Sequence, residues 1–555
     1  MKSVLPILLL ITAIKILLIP SYYSTDFHVH RNWLAITRHL PLSQWYFDDV
    51  DGGTVHTLDY PPGFAWFEYL LSNNAITNRL VEWGWLDGRC LELLPDDDNT
   101  PSDRCVVFQR CTVIISDAML FLGAYLASTA YGDRLTSSAK EASELSFLLI
   151  VTNPGLIMLD HIHFQYNGML LGLLLCSIAC IIRGDAGSNT QRSKKSAISS
   201  QTWELCGAAF FALLLSMKHL YMTLAPLYLV YLLRHHCFIA QKEKSSVTLQ
   251  FSFTKFVFLG VITLVCFLGP FVPFLLQDSS VQMEQILKRL FPFGRGLVHD
   301  YWAANTWALY LFGSKIASFV KKSFVPSSFR NILESYALIP FPEPSPHIVA
   351  LCLFLGLIPA LICAWKVASN ALESQLSNST VGTSAATFFI HAVVVSSFSA
   401  FMLGYHVHEK AIMTAIVPLT IVATTSIENA RLYIRTCMFG IFGLFPLLFQ
   451  PEELLIKAFL FLTWMLLALY GLESLLFKDR KDTLLTNIDM VTITVLSCVF
   501  IFMEIIHPVV FMPRGKLEFL PLMTTSVVCA IGLFCCWVQS GVQMMNCIKI
   551  KTKYD

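Results

Sequence analysis

The sequence has little charge and no excess of either sign. Only 14% of its 555 residues are charged, and 39 basic residues almost balance 38 acidic ones. A chain without a basic field has no electrostatic means of collecting nucleic acid. With 55% hydrophobic residues and a mean hydropathy of +0.60, the composition also excludes an ordinary soluble enzyme. We therefore expect a lipid bilayer as the main partner, and no nucleic acid.

Short motifs of metal and nucleotide sites are missing as well. The 16 cysteines form no C-x-x-C pair and lie mostly within apolar runs, which excludes a zinc ribbon and is typical of small buried side chains. No glycine-rich phosphate loop is present. The D-x-D of Asp49 and Asp51 and the acidic run 96–98 therefore fit solvated loop acids better than a nucleotide-sugar site.

Long apolar runs, by contrast, are frequent. About fourteen of them could form helices that cross roughly 30 Å of hydrocarbon. The predicted spans are residues 4–20, 112–131, 145–159, 168–183, 203–217, 220–234, 255–276, 346–365, 384–403, 411–427, 433–449, 455–477, 488–506 and 519–540. The first contains Lys15 and no small-residue cleavage site follows it, so we expect a retained helix rather than a signal peptide. The sequence predicts an all-α, multispan membrane protein.

The basic clusters predict the orientation of these spans. If the N-terminus is cytosolic, every cluster of Lys and Arg falls on the cytosolic side. These clusters are at residues 183–195, 234–244 and 478–481 and in the C-terminal tail. The opposite face receives two long loops, 21–110 and 277–345. We expect residues 1–430 to form a catalytic transmembrane module with both loops, and 431–555 to supply C-terminal helices and a cytosolic tail.

Polar residues from segments distant in sequence are predicted at that non-cytosolic face. The segments are 24–33 and 59–63 in the first loop, 160–167, 218–219, 289–296 and 405–410. Ionisable groups are costly near a bilayer, so their convergence at one depth predicts a functional site.

These segments resemble a known family. In this order, the runs STDFHVHRNWLAIT, LDYPPGFAWFEYLLS, DHIHFQYNGMLLG, KRLFPFGRG and VHEKAI resemble those of the endoplasmic-reticulum glucosyltransferases that use dolichyl-phosphate glucose. The resemblance extends from residue 4 to the region of residue 430 and, more weakly, to the end. HRNWLAIT with FAWFEYLLS resembles the second of two successive enzymes, which adds glucose to monoglucosylated Man-nine GlcNAc-two diphosphodolichol. The alternative is the preceding enzyme, which uses the unglucosylated acceptor.

The resemblance implies a C-type glycosyltransferase fold in the endoplasmic-reticulum membrane, with a lumenal active site and cytosolic termini. It implies inverting transfer of glucose from dolichyl-phosphate glucose to a dolichyl-diphosphate oligosaccharide through an α-1,3 linkage, with no cofactor and no metal. Asp26 matches the family's catalytic base, and His408, Lys410, Arg295 and Lys218 would face the donor phosphate. The expected substrate contacts are His30, Arg31, Trp33, Asp59, Tyr60, His161, His163, Gln165 and Asn167.

Structural alternatives stay open for several of these residues. Asp26 follows Ser-Thr and could cap a helix that starts at Phe27. Asp59 before Tyr-Pro-Pro fits turn chemistry. His161 and His163 could satisfy buried backbone groups, and 408–410 could be a helix-end charge cluster. The H-x-H pairs, at residues 28 and 30, 161 and 163, and 406 and 408, would share a face in extended backbone, as zinc ligands must.

Two other functional classes compete with the glycosyltransferase. A secondary transporter should have inverted repeats and acids near the middle of helices, and neither is clear in the sequence. An inactive scaffold subunit is disfavoured because Asp26 and the full set of motifs are intact.

Three features bear on compartment and topology. Cys90 and Cys105 would meet an oxidising lumen and are candidates for a disulfide. The sequon at Asn378 is predicted to be cytosolic and without a glycan. Lys551 and Lys553 resemble a K-x-K-x-x tail that coat proteins read to return membrane proteins to the endoplasmic reticulum, although topology alone also explains a basic end.

Overall fold

The computed structural model describes residues 4–47, 56–93, 100–133, 139–185, 199–243, 246–292, 294, 296–299, 302–324, 339–377, 385–477, 483–512 and 517–549. Several predictions concern residues outside these ranges. They are Arg295, the acidic runs 49–51 and 96–98, the sequon at 378–380, and Lys551 and Lys553.

Internal contacts divide the chain into two units. Unit 1 comprises Met1–Pro292 and Trp365–Ala386, and unit 2 comprises Phe293–Ala364 and Thr387–Asp555. The functional division at residue 430 stays a prediction.

Unit 1 is built from helices and one hairpin. Its helices are α1 (Val4–Leu17), α2 (Thr25–His39), α3 (Pro62–Leu71), α4 (Asn74–Glu82), α5 (Asp103–Gly132), α6 (Ala139–Val151), α7 (Asn167–Asp185), α8 (Ser200–Met217), α9 (Ala225–His236), α10 (Phe253–Leu268) and α11 (Val272–Leu290). The antiparallel hairpin β1 (Phe238–Glu243) and β2 (Ser246–Phe251) is the only sheet within the described ranges, and the sequence did not predict it.

Unit 2 is also helical. Its elements are α12 (Thr306–Phe324), α13 (Pro346–Ser377, whose last part belongs to unit 1), α14 (Ala385–Leu403), α15 (Met413–Ala423), α16 (Ile427–Phe442), α17 (Glu453–Leu476), α18 (Asn487–Ile501) and α19 (Leu520–Lys549). Because α11 continues to Leu290 and α12 follows it, the second long loop contains more helix than its sequence suggested.

The prediction of an all-α membrane protein is confirmed. Ten helices among the described residues are long and apolar enough to cross a membrane, and Val4–Leu17 is a shorter apolar helix. All fourteen predicted spans coincide with helices, but their number as membrane crossings stays a prediction.

The long helices fall into an inner and an outer class. In the most apolar stretch of α7, 94% of the residues are buried inside the protein. In that of Pro346–Leu372 only 22% are buried, and the remaining apolar side chains point outward, as lipid contact requires. The backbones of α7 and α5 are in direct contact where the two helices cross. A Cβ at Gly123 would lie 2.2 Å from the Gly172 carbonyl oxygen, so only glycine permits this crossing.

A buried ion pair attaches α1 to this core. Lys15 Nζ lies 2.5 Å from Asp117 Oδ2 of α5, and both side chains are 2% exposed. Asp117 also binds His161 Nε2 at 2.8 Å. An ionisable side chain inside an apolar helix is tolerated when it finds such a partner.

A disulfide fastens the first loop. Cys90, in the short turn Gly88–Leu91, is bonded to Cys105 in the first turn of α5. The candidate pair is therefore confirmed, and it ties the loop to the start of a long apolar helix.

Candidate active site

Asp26 lies in the first turn of α2 but does not cap it. The N-cap is Ser24, whose Oγ accepts a hydrogen bond from the Asp26 N–H at 3.2 Å. The interpretation of Asp26 as the cap of a helix from Phe27 is therefore wrong. Ser24 also donates its own N–H and hydroxyl to the His163 carbonyl, at 3.0 and 2.7 Å. These bonds join the start of α2 to the segment that follows α6.

That segment is a π-helix, Ile157–Phe164, which ends in an unusual residue. Phe164 has φ of 85°, a left-handed conformation that is costly for a bulky side chain. Its buried ring packs against Phe27 with centroids 5.1 Å apart, which holds the conformation in place. The turn at Phe164 allows its two neighbours, His163 and Gln165, to reach the same carboxylate.

Asp26 is the carboxylate on which these neighbours converge. Gln165 Nε2 donates to Asp26 Oδ2 at 2.6 Å, and His163 Nε2 lies 3.2 Å from the same oxygen. The Asp26 side chain is 29% exposed, whereas Asp117 and Asp160 are almost wholly buried. Asp26 is thus an acid that substrate can reach, as is the half-buried Asp59.

Asn167 continues the network away from Asp26. Its Nδ2 donates to Gln165 Oε1 at 2.8 Å and to Asp160 Oδ1 at 3.0 Å. Lys218 Nζ donates to Asn167 Oδ1 at 3.3 Å and lies 4.9 Å from the centre of the Tyr60 ring. Predicted residues from four segments thus meet in unit 1. The role of Lys218 toward the donor phosphate stays a prediction.

His161 faces elsewhere, toward the ion pair of Lys15 and Asp117. Residues i and i+2 point to nearly opposite sides of a helix, and His161 and His163 accordingly meet different carboxylates, Asp117 and Asp26. His28 and His30 also lie in a helix, α2. The extended-backbone argument for zinc was therefore wrong for both pairs. The Nε2 atoms of His161 and His163 each lie next to a carboxylate, so hydrogen bonds to buried backbone groups alone do not explain these two histidines.

The other predicted residues of the first loop have partners inside it. His30 Nδ1 lies 2.7 Å from Glu68 Oε1, an Arg31 N–H donates to the Glu92 carbonyl, and the Trp33 indole donates to the Thr57 carbonyl. All three predicted side chains are nearly fully buried. Their contact with substrate stays a prediction, and in this structure they hold the loop together.

Two pKa shifts describe the electrostatics of this loop. Burial raises the pKa of Glu68, and the hydrogen bond from His30 opposes that rise only in part. Burial, followed by the carboxylates of Asp59 and Asp26, raises the pKa of Tyr60 well above its ordinary value. The Tyr60 hydroxyl therefore stays protonated and can donate a hydrogen bond.

The second cluster of predicted residues lies in unit 2. His406 has φ of 50°, its N–H donates to the Leu297 carbonyl at 2.9 Å, and its Nδ1 lies 3.0 Å from the Gly296 carbonyl oxygen. His408 precedes the helical turn Glu409–Ile412, which contains Lys410. These bonds place His406 next to Gly296 and Leu297.

His299 joins this cluster and was not predicted. Its ring centre lies 4.0 Å from that of His408. One ligand atom each from His299, His408 and Glu409 fall within 4.8 Å of one another, close enough to consider a metal ion. Around a tetrahedral zinc ion, neighbouring ligand atoms lie about 3.3 Å from each other. Since His299 Nδ1 and Glu409 Oε2 are 4.0 Å apart, the side chains would have to close around an ion. The expectation of no metal stays a prediction.

Known proteins resemble the chain over nearly its whole length. The model of the ALG6, ALG8 glycosyltransferase family matches residues 11–540. Proteins named dolichyl pyrophosphate Glc1Man9GlcNAc2 alpha-1,3-glucosyltransferase are similar in Bos taurus (34% identical, over 96% of this chain and 94% of the relative) and Mus musculus (35%, over 95% and 93%). The Arabidopsis thaliana protein of that name is 35% identical over 95% of both chains. These matches show that the chain belongs to the ALG6, ALG8 glycosyltransferase family.

Proposed function

We propose that this protein transfers glucose from dolichyl-phosphate glucose to the monoglucosylated Man-nine GlcNAc-two oligosaccharide on dolichyl diphosphate, forming an α-1,3 linkage. The acceptor is inferred from the printed names of relatives that share about a third of their residues with the chain. The donor is inferred from the family resemblance of the sequence. The product would be an intermediate in the assembly of the oligosaccharide used for protein N-glycosylation.

The accessible carboxylate of Asp26 is the observation that carries this function. In an inverting transfer the acceptor hydroxyl attacks C1 of glucose and must lose its proton to a base. Asp26 is 29% exposed and its orientation is fixed by Gln165, whereas Asp160 is buried. A base needs both access and fixed geometry, and Asp26 combines them.

The bonds balance in a single step. The bond from the acceptor oxygen to C1 forms as the bond from C1 to the phosphate oxygen breaks, and the electron pair leaves with dolichyl phosphate. The proton of the acceptor hydroxyl passes to Asp26. No acid has to protonate the leaving phosphate, but its growing charge needs cations and N–H donors. We assign this part to His408 and Lys410, with Arg295 and Lys218 as helpers.

The preceding glucosyltransferase step is the second candidate, because both enzymes belong to one family. Purified protein would be incubated with dolichyl-phosphate glucose and one of two acceptors, either without glucose or with a single glucose. We expect transfer only to the monoglucosylated acceptor. Transfer only to the unglucosylated acceptor would assign the preceding step, and transfer from a nucleotide sugar would reject both.

We also propose a location in the endoplasmic-reticulum membrane, with Asp26 on the lumenal side. The Cys90–Cys105 disulfide supports this, because disulfides persist in the oxidising lumen and are rare in the cytosol. The tail would contact coat proteins through Lys551 and Lys553. Replacing both by Arg keeps the charge but changes the signal, and we expect part of the protein to reach the Golgi. Complete retention of the variant would contradict the retrieval signal.

A further inference from the structure

A chain of amide side chains runs from Lys218 to Asp26. Lys218 Nζ donates to Asn167 Oδ1 at 3.3 Å, Asn167 Nδ2 donates to Gln165 Oε1 at 2.8 Å, and Gln165 Nε2 donates to Asp26 Oδ2 at 2.6 Å. Asn167 and Gln165 are buried. This series of three hydrogen bonds, the amide relay, therefore links the cation at the end of α8 to the accessible carboxylate at the start of α2.

The direction of every bond in this chain is determined by its ends. A lysine ammonium can only donate, so Lys218 requires the oxygen of the Asn167 amide. The Asn167 NH2 group must then face Asp160 and Gln165, which brings the Gln165 oxygen toward Asn167. The Gln165 NH2 group is left for Asp26. Reversing either amide would place donor against donor or acceptor against acceptor.

Asp160 fixes the same direction independently. Its carboxylate accepts the backbone N–H groups of Asn167 at 3.1 Å and Gly168 at 2.5 Å, besides the Asn167 side chain. A Cβ at Gly168 would lie 2.5 Å from Asp117 Oδ1 and 3.2 Å from Asp160 Oδ2, so glycine is needed for this close approach. A buried acceptor with three donors holds Asn167 in one orientation.

We infer that Gln165 and Asn167 are positioning residues that keep Asp26 ionised and correctly oriented to take the acceptor proton. The inference rests on the proposed function of Asp26 as the base. Donors aimed at a carboxylate stabilise its charged form, and a hydrogen bond to a charged group is a strong one. Neither amide needs to touch substrate for this role.

Other titratable groups surround the carboxylate and bear on its titration. His163 faces Asp26 from the π-helix, Tyr60 and Asp59 lie before α3, and Lys218 lies at the end of α8. None of these groups is itself replaced in the amide variants. A shift in the pH–rate profile of an amide variant therefore reports the relay itself.

The test uses full-length protein in detergent with dolichyl-phosphate glucose and the monoglucosylated acceptor. In Gln165→Leu the donor to Asp26 is removed, and we expect kcat to fall about tenfold to a hundredfold, since hydrogen bonds to charged groups have that value. The KM values should stay unchanged, and the acid limb of the rate profile should move up by about one pH unit, because each unit corresponds to a tenfold change in that interaction.

Two near-isosteric variants keep the test valid if Gln165→Leu fails to fold. Gln165→Glu places a second carboxylate 2.6 Å from Asp26, so the two would share a proton and the acid limb should move further than in Gln165→Leu. Asn167→Asp removes the NH2 group that orients Gln165 and should shift the limb in the same direction. Asn153→Asp is the matched control, because it changes a buried amide that accepts from the Gly155 N–H outside this network. Its profile should be that of the wild type.

Asp26→Asn separates the two proposals. If Asp26→Asn is inactive but folded amide variants have the wild-type pH profile, the relay is wrong and the base assignment stands. If Asp26→Asn turns over normally, the proposed base is wrong and the relay fails with it. A profile shift in the Gln165 and Asn167 variants, absent from Asn153→Asp, supports the relay.

Discussion

The two clusters of predicted site residues are held in different ways. Around Asp26, side chains bind one another directly through Gln165 and Asn167. Around His408, His406 binds backbone carbonyls and the rings of His299 and His408 lie against each other. The difference matches the proposed chemistry, because proton transfer needs one acceptor in one position, whereas a departing phosphate can be stabilised by several groups.

Removing the proton acceptor should have the largest effect. Asp26→Asn keeps the size of the side chain, and we expect kcat to fall about a hundredfold to ten-thousandfold, as general-base loss does. Donor binding should survive, which equilibrium binding of dolichyl-phosphate glucose would measure. Asp103→Asn is a matched control, because Asp103 is also in the first turn of a helix and is exposed. Near-normal turnover by folded Asp26→Asn would contradict the assignment.

Removing a cation from the second cluster should come next. Lys410→Met is expected to lower kcat by about a hundredfold to a thousandfold, the usual effect of losing one group that stabilises developing negative charge. Single-turnover rates at saturating donor would measure it. Lys410→Arg should recover part of the rate, and Lys366→Met, which removes an exposed lysine on α13, should have none of the effect. An equal loss in Lys410→Met and Lys366→Met would remove Lys410 from the site.

The disulfide variant should affect stability more than chemistry. Replacing Cys90 and Cys105 by Ser opens a link across 15 residues, which is expected to cost about 3 kcal/mol. Faster proteolysis of the first loop and a lower melting temperature would show this loss. Cys111→Ser changes a free cysteine of the same helix and serves as control. Non-reducing peptide mapping that finds both thiols free in the wild type would refute the link.

Chelation should have the smallest effect, namely none. The predicted phosphate-facing groups are cationic, so we expect EDTA to leave the transfer rate unchanged. Loss of activity that a divalent ion restores would contradict this expectation. If Glu409→Gln then lowered the affinity for the restoring ion, the group of His299, His408 and Glu409 would be identified as its site.

Hydrophobic runs predicted the long helices well, because burial and lipid contact both select apolar residues over a full span. The helix α12 was missed because its lysines and serines interrupt the apolar run. The hairpin β1–β2 was missed because each of its strands has only six residues. Helix α12 packs against α19, which is distant in sequence, whereas the two strands of the hairpin are adjacent.

The sequence motifs drew attention to residues that meet around Asp26, but they did not predict the contacts between them. The motif around residues 160–167 drew attention to His163 and Gln165, but only the π-helix and the left-handed Phe164 determine that they face Asp26 while His161 faces Asp117. The presence of Lys15 and Asp117 in apolar helices was a signal for a buried pair. No pattern in the sequence indicated that His299 would join His408.

The pair of Lys15 and Asp117 has a consequence for synthesis in the cell. The two residues are 102 positions apart, so the ribosome completes α1 long before α5 exists. On insertion scales an unpaired lysine costs roughly 2.5–3.5 kcal/mol at the centre of a membrane helix, and Lys15, in the last turn of α1, should cost a smaller amount. Helix α1 is therefore expected to settle at its final depth only when α5 arrives with the carboxylate. The final packing of α1 is then expected to follow the insertion of α5, because Lys15 pairs with Asp117 only at that stage.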